Sequence, residues 1–149
     1  MDGRPRWVTA FAALASSAVV MAAAGTSDGE FQIELKASLR NQGEMARASF
    51  TPNGDNTSMV LNMSGVPSYL VRPVRLYTYI YRGSCAQLPA SPAYELNKVV
   101  VPIRQAAAPF TLNKSVPLPA GQLRSGGFSV IVRSSAPDGN IDLFCGEIR

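Results

Sequence analysis

Few side chains in this chain have chemistry to offer, and they are unevenly placed. Cys85 and Cys145 are its two cysteines. Arg75, Tyr77, Tyr79 and Tyr81 occupy every second position of one short stretch. Histidine is absent, which removes the side chain most used for general acid–base work and metal binding near neutral pH. Glu30, Glu34, Glu44, Glu95 and Glu147 are scattered, and Glu34 falls on the polar side of an alternating segment, so a solvated role is expected of them. The serines have no histidine base and no Gly-x-Ser-x-Gly elbow. Gly121 to Gly127 is not followed by the Gly-Lys-Ser/Thr of a phosphate loop. No catalytic residue, metal ligand or cofactor site is assigned on these grounds.

Two cysteines allow one intramolecular pairing. In an oxidising compartment a disulfide is open to them, and closing a loop of this size contributes roughly 4 kcal/mol on the chain-entropy account. A redox-active pair is the sharper alternative, but Cys-x-x-Cys spacing is missing.

The tyrosines must be positioned by a strand. Val74, Leu76, Thr78 and Ile80 alternate with Arg75, Tyr77, Tyr79 and Tyr81, the period of a half-buried strand. The first set is the more apolar and is assigned to the core. The second set then shows three phenols and a guanidinium to the outside, with the phenols at the rim.

Similar alternation marks Phe31-Ile33-Leu35, Met45 to Thr51, Met59-Leu61-Met63 and Phe128-Val130-Val132. Short strands are also expected at Val99-Val100-Val101, Phe110-Thr111-Leu112 and Ile141 to Ile148. Turns fall at Asn41-Gln42-Gly43, Pro52 to Asn56, Gly65-Val66-Pro67 and Pro137 to Asn140, and Cys85 to Asn97 reads as loop. No segment beyond the N-terminus holds a 3.6-residue apolar period for an ordinary helix length. About eight short strands between dense turn signals predict an all-β sandwich or Greek-key barrel.

At the N-terminus, Arg4 and Arg6 precede an apolar run from Trp7 to Ala24 that closes on Ala22-Ala23-Ala24. That is the layout of a secretory signal peptide over residues 1–24, followed by a single domain over 25–149. A signal anchor is the competing reading, because the run approaches spanning length. No cysteine follows the run, so no lipoprotein anchor is expected, and after cleavage no membrane insertion. The chain is placed in the periplasm or outside the cell. Residues 1–24 hold Arg4, Arg6 and Asp2; without them twelve basic and nine acidic residues remain, a net charge of +3. A charge that small does not argue for nucleic acid. Asn56-Thr57-Ser58, Asn62-Met63-Ser64 and Asn113-Lys114-Ser115 match the glycosylation triplet, which is common by chance.

Gly83-Ser84-Cys85 after an x-Ile-x strand, together with the terminal Cys145-Gly146-Glu147-Ile148, resembles copper/zinc superoxide dismutase and small exported bacterial proteins related to it. The resemblance covers about residues 31–149, specific at the two cysteine motifs and loose elsewhere. It implies an eight-stranded Greek-key β-sandwich with a disulfide tying a loop to the last strand. It also implies a His-x-His pair where this chain has Tyr79-Ile80-Tyr81, and a late-strand histidine where it has Arg133. Copper and zinc there need imidazoles and a carboxylate. Two phenols and a permanent guanidinium are no substitute at neutral pH.

The expectation is therefore an exported, non-catalytic protein without a metal site, structural or protein-binding in role. Its candidate binding face is Arg75, Tyr77, Tyr79 and Tyr81, joined by Arg133 if the family layout holds. A small-ligand or glycan binder using that face is the alternative, and a residual enzyme the third reading.

Overall fold

A computed structural model of the chain describes residue 3 and residues 29–105 and 109–149. The signal peptide expected over residues 1–24 lies outside the described residues, Gly3 excepted.

Period-two alternation becomes strands: β1 (Phe31–Ala37), β2 (Met45–Asn53), β3 (Asn56–Met63), β4 (Leu76–Arg82), β5 (Tyr94–Glu95), β6 (Phe110–Val116), β7 (Phe128–Ser134) and β8 (Asp142–Glu147). All pair antiparallel in one sheet of order β5-β4-β7-β8-β1-β2-β3-β6. The sheet curls into a nearly closed barrel. Alternation in the sequence turns one side of each strand inward. Phe50, Met59, Leu61, Leu76, Ile80 and Phe144 are among the side chains fully buried there. Phe31 and Phe50 stack within the core at 4.5 Å.

The barrel stays open between β5 and β6. Across the opening Lys114 Nζ donates to the Val99 carbonyl at 3.2 Å, while on the β4 side Val74 and Ile103 exchange two backbone hydrogen bonds. One mouth is closed by α1 (Ala120–Ser125), six residues long. A helix that short is not stable alone; it is held by burying Ala120 and Leu123.

Four local expectations are corrected. Val99-Val100-Val101 forms no strand, and Val99 and Val101 are exposed. The place beside β4 is taken instead by Tyr94 and Glu95, which pair with Ile80 and Tyr79; Pro102, lacking an N–H, cannot extend the ladder. The stretch Cys85 to Asn97 is accordingly not all loop. The turn read as Pro52 to Asn56 is tighter, because Pro52 pairs with Thr57 and Asn53 with Asn56. Only Gly54 and Asp55 remain between the strands, with Gly54 at φ 63°, a backbone glycine adopts freely. The fourth strand starts at Leu76 rather than Val74.

Because neighbours alternate in direction, the connections sort to two ends. The β2–β3, β4–β5 and β6–β7 connections lie at one end. The β1–β2, β3–β4, β5–β6 and β7–β8 connections lie at the other.

Candidate functional site

The alternation in β4 sorts its side chains as expected. Val74, Leu76, Thr78 and Ile80 are buried on the core side, while Tyr77 and Tyr79 are half-buried on the outer side. Tyr81 departs from the expected rim position: it is only 4% exposed. The cause is a second layer of chain. After β4 the backbone turns at Gly83, whose N–H donates to Gly127 O at 2.8 Å and whose carbonyl accepts from Ser129 Oγ at 2.5 Å. It then crosses to β8, where Cys85 is disulfide-bonded to Cys145 with the Cα atoms 5.9 Å apart, an ordinary span for such a bond. The Cys85 N–H donates to Glu147 Oε1 at 3.3 Å. Under this strap β7 is buried on both faces, from Phe128 through Val132, which is why its sequence runs apolar without a break at Val130-Ile131-Val132.

Across the β4–β7 ladder Tyr77 sits opposite Arg133, Tyr79 opposite Ile131 and Tyr81 opposite Ser129. The Arg133 guanidinium lies 5.1 Å from the Tyr79 ring centre and 5.9 Å from that of Tyr81, both within cation–π range. Its Nε donates to Asp142 Oδ1 at 2.6 Å. Asp142 faces Arg133 from β8 across a register shift. The bond to Asp142 holds the guanidinium above its ordinary range; burial works against this, and a hydrogen bond to Tyr81 adds to it. The Tyr79 phenol is pushed up by burial, with Arg133 opposing. Arg75 precedes β4 and is exposed, apart from the cluster.

Chemically, the cluster is a guanidinium paired with the Asp142 carboxylate and laid against two phenol rings, and it offers hydrogen-bond donors and stacking surfaces. The residues do not fit a copper or zinc ion. Arg133 already places a positive charge against both rings, where it repels a second cation. Among the described residues no three His, Cys, Asp or Glu side chains gather where they could hold a metal.

Beside the cluster and along the disulfide runs a cleft of about 740 Å³, its walls including Lys36, Leu88, Ile131, Asp142, Cys145 and Glu147. Glu147 is held below the ordinary 4.5 first by Arg149 and then by the Cys85 N–H. Asp142 and Ile131 were not anticipated as part of the site. Asp142 had a signal: counting outward from the turn at Pro137 to Asn140 brings it near Arg133. Ile131 had none, since what covers it comes from a distant loop.

No family model matches this chain, and no curated protein or solved structure matches it with statistical significance. Among the described residues no helix is long and apolar enough to cross a membrane.

Proposed function

We propose that this is an exported, non-catalytic protein, built on a copper/zinc superoxide dismutase-like Greek-key scaffold and serving as a structural or protein-binding component. The observation that carries the reading is the Arg133 guanidinium over Tyr79 and Tyr81. The resemblance assigns metal-binding histidines to those positions, and this chain fills them with a cation of its own. The strand order supports the Greek-key part. β1, β2 and β3 are neighbours, β6 returns beside β3, and β7 crosses back beside β4, the long return connections such folds use. A strap joined to the last strand by Cys85–Cys145 accords with the same scaffold and with an oxidising compartment.

A small ligand or glycan bound at the Tyr77, Tyr79, Tyr81 and Arg133 face is the second reading. It is favoured by the adjoining cleft, whose volume is in the range of ligand sites. Tyr and Arg dominate binding hot spots. With Tyr81 buried, Tyr77, Tyr79 and the Arg133 edge would meet the ligand.

A dismutase assay on purified protein supplied with copper and zinc tests the non-catalytic claim. The expected rate equals that of the free ions, and a protein-dependent excess would overturn the reading. Tyrosine chemical shifts then separate the two binding readings. Shifts at Tyr77 and Tyr79 on adding oligosaccharides favour the ligand; shifts only with a fraction of exported proteins favour the partner.

A further inference from the structure

We propose that the barrel end formed by the β1–β2, β3–β4, β5–β6 and β7–β8 connections is a peripheral docking surface for an anionic lipid bilayer. The four connections form one continuous surface, because the β3–β4 connection is bonded to each of the others. The Tyr69 hydroxyl donates to the Arg40 carbonyl at 3.5 Å, the Val71 N–H to Asp138 Oδ1 at 2.7 Å, and Arg72 Nη1 to the Gln105 carbonyl at 3.1 Å.

That surface is apolar where it projects. Leu39 is 84% exposed, and Tyr69 and Val71 are each 57% exposed. Met45, at the start of β2, and Val101, in the β5–β6 connection, add to it; among the described residues the one other exposed large apolar side chain, Val99, lies lower on the wall against Lys114. Large apolar tips gathered at one end of a barrel are unusual on a surface that meets only water.

The same connections carry the charge. Arg40, Arg72, Arg75 and Arg104 face two acidic residues, Glu44 and Asp138. Both carboxylates are engaged by their own surroundings: Glu44 accepts from the Ser64 hydroxyl, and Asp138 from the Val71 N–H and the Ser135 hydroxyl. At the opposite end Arg124 and Arg149 are balanced by Glu30 and Asp55. Leucine, valine and tyrosine tips among arginines suit the boundary of a bilayer, where apolar groups enter the acyl layer and cations meet lipid phosphates. This complementarity selects an anionic bilayer over a neutral one.

The test is sedimentation of the protein, as recovered from producing cells, with vesicles of phosphatidylglycerol and phosphatidylcholine against phosphatidylcholine alone. Binding is expected on the anionic vesicles and should weaken with added salt. Leu39→Ser with Tyr69→Ser should reduce it at least tenfold. Arg40→Ser with Arg104→Ser should reduce it about twenty-fivefold, about fivefold for each charge removed. Arg124→Ser, at the opposite end, should leave it unchanged. The substituted side chains at the docking end are exposed, and circular dichroism checks that each variant is folded. Equal binding to the neutral vesicles, no binding, or binding untouched by the two paired variants overturns the proposal. So does a dimer in lipid-free ultracentrifugation that Leu39→Ser with Tyr69→Ser dissociates, which would assign the surface to a second copy.

Discussion

The two faces of β4 are built by different physics. On the inner face Leu76, Thr78 and Ile80 are buried because the strand alternates and the barrel closes around it, so local pattern and hydrophobic burial suffice. On the outer face Tyr77, Tyr79 and Tyr81 face Arg133, Ile131 and Ser129 of β7. At the Tyr81 end of that face a strap is held down by a disulfide and a few hydrogen bonds. The inner face specifies the barrel and the outer face specifies what it presents. An apolar residue inside is replaceable by another of like volume, whereas Arg133 works only with its rings and Asp142 in place.

Reducing the disulfide strikes the outer layer hardest. Cys85 and Cys145 are 60 residues apart, and opening a loop of that length costs roughly 4 kcal/mol on the entropy account. Denaturant unfolding with and without a thiol reductant measures it. The reduced protein should still unfold cooperatively, because the inner core is untouched. Loss of all cooperativity would mean that the two faces are not separable. On the inner side, Ile80→Ala should cost roughly 3 kcal/mol for a buried branched side chain.

The tyrosines sharpen the contrast within one face. Tyr81→Ala should cost roughly 2 kcal/mol, because its ring is covered, and Tyr79→Ala nearer 1 kcal/mol, because its ring is half-exposed. Chemical denaturation of both variants gives the ranking; equal costs would show that the strap does not protect Tyr81. The smallest effect is electrostatic. The Glu147 carboxyl titrates below its ordinary 4.5 in the folded protein. Its contribution is therefore fully present above about that pH and is lost as the pH falls through the lower folded value. Glu147→Gln should be less stable than the parent at pH 7, with the gap closing in acid. A gap that widens in acid would contradict the pairing with Arg149 and the bond to the Cys85 N–H.

Much of the inner face was legible in the sequence, because Phe31-Ile33-Leu35, Met59-Leu61-Met63 and Leu76-Thr78-Ile80 carry their burial as local alternation. β5 was not legible: Tyr94-Glu95 has no period to read, and the β-branched run Val99-Val100-Val101 has the better strand propensity yet joins no ladder. In the site, the outward direction of Tyr77 and Tyr79 followed from period two, while the burial of Tyr81 depends on a loop fixed by Cys145 far along the chain. Arg75 shares the period of the tyrosines yet lies before the strand begins. Asp142 became part of the cluster through the register of β7 and β8, which shifts between Val132 and Arg133 and which no local pattern reports.

Titration of the purified protein with copper and zinc, followed by calorimetry and by metal content after desalting, tests the central claim most directly. With Arg133 laid over Tyr79 and Tyr81, no stoichiometric uptake is predicted, and Arg133→Ala should not create any because neither ring supplies a neutral-pH ligand set. One equivalent of either metal bound at submicromolar affinity, and lost in the Tyr79→Ala or Tyr81→Ala variant, would contradict it.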